Sequence, residues 1–375
     1  MTEINNNSKR IFGLDLMRAI AIIMVLCSHC LWIYPKSDST VSQIFRLFGF
    51  LGVEIFFVLS GFLIGKILYK SFLKSQFSFL EIRYFLKRRW FRTLPNYFLI
   101  LVINIVIAGI IGYKTENLWK YFLFVHNFWD QMPAFFPESW SLSIEEWAYF
   151  ILPFFLFITG NILNKNKSIL FLLLVIALII VFQMTKIVYQ INTENTTLTE
   201  WNLNLKPIVI YRLDSILYGV LASWIYCNNK LFWRKYKLIA LLIGSIGLFF
   251  ANYGIAKFSL SAENMIFFRN VLYLPLVSVS IAFFLPFLSD WKNTNYIVQK
   301  PVIFVSLISY SVYLLHYSVI LQLMKHFIPT ENFSQYQLHI YTAIYLLLTF
   351  IWSALLYFYY ERPLMNLREI DRKIT

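Results

Sequence analysis

An arginine and a histidine within an apolar segment are the first residues here whose types and spacing could support chemistry. Arg18 and His29 are 11 positions apart in GLDLMRAIAIIMVLCSH, so a helix would place them on one face, about 16 Å apart along its axis. An imidazole exchanges protons near neutral pH, and charges inside membrane helices usually face a cavity or a partner. We interpret the two as a functional column, with an Asp15–Arg18 ion pair as the structural alternative.

Two more titratable side chains are predicted at a depth similar to that of His29. Glu145 lies near the start of the apolar segment 139–160, and His316 lies 15 residues into the segment 301–324. With the orientation argued below, all three reach the outer half of a membrane, and we expect them to share one cavity. Mutually neutralising pairs are the alternative for charges in apolar segments, which also include Arg46, Glu54, Glu146, Arg212, Asp214 and Arg269.

The segment KRRWFRTLP carries four cations within six residues: Lys87, Arg88, Arg89 and Arg92. We expect it in a loop between two spans. Such a cluster can anchor a cytoplasmic loop on anionic lipid. It can equally dock a phosphorylated cofactor, because arginine forks suit phosphate groups. The residues alone leave both interpretations open.

Two other motifs predict less chemistry. Cys27 and Cys30 flank His29 on one helix face, but a tetrahedral metal site needs further soft ligands, and we expect no bound metal. The spacing of Gly61 and Gly65 indicates a helix-packing surface.

The composition requires a membrane protein to hold these side chains. Of 375 residues, 59% are hydrophobic, 19% aromatic and 14% charged. An ordinary soluble domain is nearer 45–50% apolar and about 25% charged, so soluble, disordered and disulfide-rich classes are excluded. The net charge of +14 fits basic cytoplasmic loops better than nucleic-acid binding, since no soluble basic domain is present. We predict an all-α, polytopic integral membrane protein.

Hydropathy predicts about ten transmembrane helices in a single domain, residues 1–375, with short cytoplasmic tails at 1–10 and 361–375. The spans are 11–32, 45–68, 94–113, 139–160, 168–187, 207–226, 238–256, 268–289, 301–324 and 339–360. Lys and Arg outside the spans number 21 on the side of the termini and six on the other, or seven when Lys186, at the outer end of the span 168–187, is included. Both termini are therefore predicted to be cytoplasmic.

Seven segments, in order along the chain, resemble the membrane-bound acyltransferase-3 family, which O-acylates bacterial surface glycans and related acceptors. They are GLDLMRAIAIIMVLCSH, GFLGVEIFFVLSGFLI, RWFRTLP, WSLSIEEWAYFILP, YRLDSILYGVLA, ISYSVYLLHYSVI and YERPLMNL. Trp147 and Ala148 stand where the family usually has glutamine and phenylalanine, which concerns local packing.

The resemblance implies transfer of an acyl group, usually acetyl from acetyl-CoA, to a hydroxyl across or within the membrane. It implies that Arg18 and His29 are the essential pair and that Glu145 is the first of the family's paired glutamates. Arg89 and Arg92 are implied as the pair that binds the cofactor phosphates, and we expect Arg88 and Arg18 to take part in binding the cofactor.

On this basis we expect His29 to act as general base toward the acceptor, oriented by Glu145. His316 is expected to be either the acid for the leaving thiol or an oxyanion donor. Tyr310 or Tyr313 as a covalent acyl carrier is a further alternative.

The expected partners are acyl-CoA, membrane lipids and a carbohydrate or lipid-linked glycan, in the inner (cytoplasmic) membrane. Some relatives carry an appended soluble domain that completes transfer outside. This chain is expected to deliver directly or through a separate periplasmic or extracellular transferase. The competing functions are a transporter or permease for a surface polysaccharide and an inactive scaffold in a glycan-synthesis complex.

Overall fold

A computed structural model describes residues 10–34, 39–74, 77–162, 166–193, 197–258 and 265–367. Within these ranges the regular structure is helical, which confirms the all-α class. The predicted tails at 1–9 and 368–375 lie outside the described residues. The described ranges contain sixteen α-helices: α1 Phe12–Cys30, α2 Thr40–Phe72, α3 Phe79–Ile111, α4 Trp119–Phe122, α5 Ser139–Ile162, α6 Lys167–Asn192, α7 Leu198–Asn204, α8 Leu213–Asn228, α9 Lys230–Lys235, α10 Lys237–Phe258, α11 Tyr273–Ala282, α12 Leu285–Asp290, α13 Tyr296–Leu315, α14 Gln322–Phe327, α15 Gln335–Leu356 and α16 Arg362–Leu367.

Several of these helices are joined by short segments with wider or tighter turns. A 3₁₀ turn, Val209–Tyr211, precedes α8. Within the described residues, three π-helical segments adjoin α-helices: Phe268–Leu272 before α11, His316–Leu321 after α13 and Tyr357–Glu361 after α15. Such π segments often occur at functional sites, and one of them begins at a predicted site histidine.

Among the described residues, eight continuous helical stretches are long and apolar enough to cross a membrane, and they correspond to eight of the ten predicted spans. The span predicted at 207–226 is α8, which has only 16 residues. The span at 238–256 lies within α10, of which the stretch Lys237–Tyr253 counts as a shorter apolar helix. A multi-pass membrane protein is therefore confirmed, whereas the number ten and the cytoplasmic termini stay predictions.

The prediction of a loop around KRRWFRTLP is wrong, because this basic segment lies within α3, which begins at Phe79. Ile82, Phe85 and Leu86 are buried and recur with helical spacing, so they supply an apolar face. Lysine and arginine are also good helix formers. The cations therefore project from a rigid helix.

The helix α2 lies at the centre of the fold, where it packs closely against α8 and α1. A Cβ on Gly61 would stand 1.9 Å from the carbonyl oxygen of Ile216, and one on Gly219 would stand 2.1 Å from that of Val58. Only glycine permits this approach of the two backbones. The packing surface predicted from Gly61 and Gly65 is confirmed.

Two buried ion pairs lie beside this contact. The Arg212 guanidinium bonds Glu54, whose second oxygen accepts a 3.0 Å hydrogen bond from Ser278 Oγ. Lys186 Nζ lies 2.5 Å from Asp214 Oδ2. These charges therefore form neutralising structural pairs, the alternative that the sequence had left open.

Candidate active site

Two histidines from different helices meet at the end of α1. His29 is in the last turn of α1, and His316 is the first residue of the π segment after α13. Their ring centroids lie 4.6 Å apart and the ring planes are nearly perpendicular, at 82°. His316 is completely buried and His29 is partly exposed.

Backbone carbonyls assign the protons of both rings. His29 Nδ1 lies 2.9 Å from the carbonyl oxygen of Val25, and His316 Nδ1 lies 2.8 Å from that of Tyr313. Because a carbonyl only accepts hydrogen bonds, Nδ1 of each neutral ring carries the proton and Nε2 has the lone pair. His316 Nε2 lies 3.3 Å from His29 Nδ1. The His29 Nδ1–H therefore has two acceptors, the Val25 carbonyl oxygen and His316 Nε2. The lone pair of His29 Nε2 is left to accept a proton.

The histidines line a cavity of about 360 Å³, here called the histidine cavity. Its wall combines aromatic rings with charged and amide side chains: Ser28, His29, Trp32, Arg46, Phe50, Glu138, Trp140, Asn202, Lys206, His316 and Tyr317. This mixture of broad apolar surfaces and a few convergent polar groups is typical of sites for small organic ligands.

Two loops build one wall of the histidine cavity. The segment after α4 pairs with the segment after α7 through Val209 N–H to the Asn127 carbonyl, 3.0 Å, and with α7 itself through Met132 N–H to the Leu203 carbonyl, 3.2 Å. The buried Asn127 side chain donates to the carbonyls of Pro207 and Trp140, at 2.5 and 3.1 Å. This pairing fixes the wall that carries Lys206.

A second cavity of about 90 Å³, here called the arginine cavity, is lined by three guanidinium groups. Arg18 comes from α1, Arg89 and Arg92 come from α3, and Glu145 of α5 is the carboxylate that faces them. The lining therefore carries three positive charges and one negative charge, a balance that suits an anionic ligand, and guanidinium forks match phosphate in particular.

Contacts around the arginine cavity hold its charges in place. Arg18 bonds Ser306 Oγ at 3.0 Å and Asp15 Oδ1 at 3.3 Å, so the Asp15–Arg18 pair is also present. Glu145 accepts a 2.8 Å hydrogen bond from Tyr149, four residues on, whose ring lies 5.9 Å from the Arg89 guanidinium.

The two cavities have Val53 and Tyr313 in common in their linings. The Tyr313 hydroxyl lies 2.7 Å from Ser141 Oγ and 3.2 Å from the carbonyl oxygen of Glu138. Arg18 and His29 of α1 therefore line adjacent cavities, with Val53 and Tyr313 at their junction.

The structure brings together most, but not all, of the predicted site residues. The cavity expected for His29, Glu145 and His316 holds only the two histidines, because Glu145 lines the arginine cavity. Arg88 is exposed and contacts Tyr84, with its Nη1 3.3 Å from the hydroxyl. It therefore does not join the other arginines. Glu146 is bound by Thr93 and Trp90 at 2.7 and 3.1 Å.

Lys206 and Glu138 line the histidine cavity, and sequence reasoning missed both. Glu138 Oε1 accepts hydrogen bonds from Ser318 N and Oγ at 2.9 and 2.5 Å. Burial raises the Glu138 pKa to about 7, against the lowering effect of the Ser318 bonds. Burial lowers the Lys206 pKa to about 8. The signals available were an acid just before the WSLSIEE motif and a lysine before Pro207.

Among the described residues, no group of three or more His, Cys, Asp or Glu could hold a metal ion.

The chain is 26% identical over 373 residues to the O-acetyltransferase OatA of Staphylococcus aureus, covering 94% of this chain and 57% of that protein. It is 25% identical over 336 residues to the peptidoglycan O-acetyltransferase OatA of Listeria monocytogenes, covering 83% and 50%.

The chain thus spans about half the length of these relatives. No solved structure matches it significantly. A family model described as an acyltransferase domain matches residues 11–358, nearly the whole chain. This protein is therefore a member of the membrane-bound acyltransferase-3 family.

Proposed function

We propose that this protein is an O-acyltransferase of the bacterial cytoplasmic membrane. It moves an acyl group, in the simplest case acetyl, from cytoplasmic acyl-CoA to a hydroxyl of a cell-surface or lipid-linked carbohydrate. The observation that carries the proposal is the His29–His316 pair, in a cavity that adjoins the arginine cavity at Val53 and Tyr313. Family membership supplies the reaction class.

The arginine cavity is the proposed donor site. Arg18, Arg89 and Arg92 outnumber the single facing carboxylate, Glu145, and charge-assisted bonds from guanidinium groups hold phosphate strongly. Acyl-CoA is an anionic donor whose phosphates fit this charge, and its thin pantetheine arm can carry the thioester past Tyr313 toward the histidines.

His29 is the proposed general base. Its Nε2 takes the proton of the acceptor hydroxyl while the hydroxyl oxygen attacks the thioester carbonyl carbon. A carbon–oxygen bond forms, the carbon–sulfur bond breaks, and the imidazolium returns the proton to the departing thiolate. The products are the acylated acceptor and free CoA.

His316 is the proposed positioning residue for this base. Its Nδ1–H is held by the Tyr313 carbonyl, so its Nε2 can only accept from His29 Nδ1–H. That arrangement orients the His29 ring and stabilises the imidazolium, as the third group does in other nucleophile–base–orienter sites. It favours neither the thiol acid nor the oxyanion donor expected from sequence.

Glu145 is assigned to the donor site instead of to His29. Its bond from Tyr149 and its position among the arginines suit a charge-balancing role in the empty and donor-bound states. This assignment revises the orienting role expected from sequence, because the two groups line different cavities.

Peptidoglycan is the first acceptor to test, since a relative is named for it. The proposal covers both direct delivery to the acceptor and delivery through a separate extracytoplasmic transferase, the two alternatives that the sequence leaves open. A transporter would move glycan across the membrane without forming an acylated product, which separates the two functions experimentally.

The test uses the full chain in lipid nanodiscs with acetyl-CoA and muropeptides, with CoA release and acetylated product followed by mass spectrometry. Acceptor-dependent CoA release by the wild type, abolished in His29→Gln and retained in the distant His326→Gln, is the expected result. Acetylation at the wild-type rate by His29→Gln would rule out the base. No acyl product in cells or nanodiscs, with glycan flux intact, would favour the transporter.

A further inference from the structure

Lys206 lines the histidine cavity, and no carboxylate among the described residues forms an ion pair with it. We propose that Lys206 forms an acceptor subsite for an anionic carbohydrate, a sugar that bears a carboxylate or a phosphate group. This inference rests on the proposed function and names the class of substrate that the same cavity takes.

The ammonium of Lys206 is held in a defined position. Its Nζ lies 3.0 Å from Asn202 Oδ1 and 6.0 Å from the ring centroids of Phe50, Trp140 and Trp201. Its backbone N–H donates to the Trp201 carbonyl at 3.0 Å. Within the described part of the chain, no carboxylate forms an ion pair with Lys206. A largely desolvated ammonium of this kind gains most from an anionic ligand.

The other charges of the histidine cavity reinforce this preference. The described residues that line this cavity include a second basic side chain, Arg46, and one acidic side chain, Glu138. One Glu138 oxygen is bound by Ser318, and the other, Oε2, is buried without a hydrogen-bond partner among the described residues. With neutral imidazoles the lining therefore carries more positive than negative charge, and Glu138 Oε2 can accept a hydroxyl of a bound ligand.

The apolar part of the same wall fits a sugar ring. Trp32, Phe50, Trp140 and Tyr317 line the histidine cavity, and pyranose rings present flat C–H faces that pack against aromatic rings. Of the two cavities this is the larger, at about 360 Å³ against about 90 Å³. A sugar here would place a hydroxyl in the cavity that holds His29 Nε2, with its anionic group fixed at Lys206.

The experiment measures binding without acyl-CoA, so its outcome is independent of acyl transfer. Three probes share one ring: methyl β-D-glucopyranoside, the corresponding methyl glucuronide and the glucoside 6-phosphate. Dissociation constants are measured by ligand-observed NMR on the full chain in nanodiscs. The wild type is expected to bind a charged sugar about tenfold more tightly than the neutral one, the worth of one charge-assisted hydrogen bond. The tighter of the two charged probes identifies carboxylate or phosphate as the natural group.

Three variants complete the design. Lys206→Met is expected to remove the preference for charged sugars, and Lys206→Arg is expected to retain it. Lys114→Met removes an exposed lysine that does not line the cavity, and it is expected to behave as the wild type. Unfolding midpoints of all variants are measured in parallel, and Lys206→Arg keeps the proposal testable if Lys206→Met fails to fold.

Two results would overturn the subsite. The first is equal binding of charged and neutral sugars by the wild type, or no binding of the charged pair. The second is an unchanged preference in folded Lys206→Met. If the preference is present but no acyl product is found, the proposed function fails and the subsite stands. If acyl transfer proceeds without the preference, only the subsite fails.

Discussion

His316 Nε2 lies 3.3 Å from His29 Nδ1, so one histidine accepts the proton-bearing side of the other. The contact joins the end of α1 to a π segment that begins at His316. Among the described residues His29 Nε2 has no hydrogen-bond partner, so it is the nitrogen that the proposed function uses as the base, whereas His316 is fully buried.

Replacing His316 should slow catalysis without weakening the binding of either substrate. In His316→Ala the His29 ring loses its orienting partner, and we expect kcat to fall by about 10²-fold with little change in the KM of either substrate. Steady-state kinetics with acetyl-CoA and an acceptor measure both constants. A large rise in either KM with unchanged kcat would assign His316 to substrate binding.

The two histidines should also be non-additive. Because His316 acts through His29, the double variant His29→Ala/His316→Ala should be no slower than His29→Ala alone. His326→Ala, on the exposed α14, is the control for loss of an imidazole elsewhere. Effects of the two substitutions that multiply would contradict a shared role.

The arginines of α3 should differ in their effect on the binding of acyl-CoA. Arg89→Gln and Arg92→Gln each remove a charge from the arginine cavity, and we expect each to raise the KM for acyl-CoA by about tenfold or more. Arg88→Gln removes the same charge from the exposed neighbour and should leave this constant near the wild-type value. If Arg88→Gln weakens the donor as much as the others, phosphate is bound outside the cavity.

Sequence reasoning found most of the side chains but not all of their grouping. Depth along a span follows from residue number, since the rise per residue is fixed, and it placed His29 and His316 together correctly. The direction of a side chain around its helix depends on the neighbouring helices, which one sequence does not define. The sequence therefore did not show that Glu145 contacts Tyr149 and lines the arginine cavity instead of the histidine cavity.

The same limit explains two other differences. Hydropathy detected α3 only where its cations end, because the apolar face at Ile82, Phe85 and Leu86 is diluted by the charged face of the same turns. Lys206 is one of the basic residues that hydropathy places between spans on the side opposite the termini. Nothing in its local sequence shows that the segment after α7 folds over the histidines.

The buried Lys186–Asp214 pair should contribute to stability only as a pair. Both side chains are fully buried, 2.5 Å apart, so Lys186→Met leaves an uncompensated carboxylate and should lower the free energy of unfolding by about 3–5 kcal/mol. Lys186→Met/Asp214→Leu removes both charges and should recover most of the loss. Lys74→Met, in an exposed pair with Glu81, should cost about 1 kcal/mol or less.

Unfolding in detergent with increasing dodecyl sulfate measures these free energies. A double variant as unstable as Lys186→Met would indicate that the pair supplies specific contacts beyond charge compensation. Wild-type stability in Lys186→Met alone would contradict the burial of the pair.

The pH dependence of acceptor binding should report Lys206, provided that the other charges of its surroundings are controlled. Besides Lys206 itself, the titratable and charged side chains that line its cavity are His29, Arg46, Glu138, Tyr313, His316 and Tyr317. Arg212 lowers the Lys206 pKa and Glu54 raises it, both less than burial does. Glu138, with a pKa raised to about 7 by burial, also loses its proton in the working range. The measurement is therefore made in Glu138→Gln as well as in the wild type.

Lys206 binds an anion only when protonated, and burial lowers its pKa to about 8 from the ordinary 10.5. Affinity for the charged sugar should therefore be constant well below pH 8 and should fall about tenfold per pH unit well above it, because one proton is lost. The carboxylate probe is ionised throughout this range. Lys206→Arg in the Glu138→Gln background should abolish the decline, since a guanidinium stays charged. A decline that persists in Lys206→Arg would assign the titration to another group of the cavity.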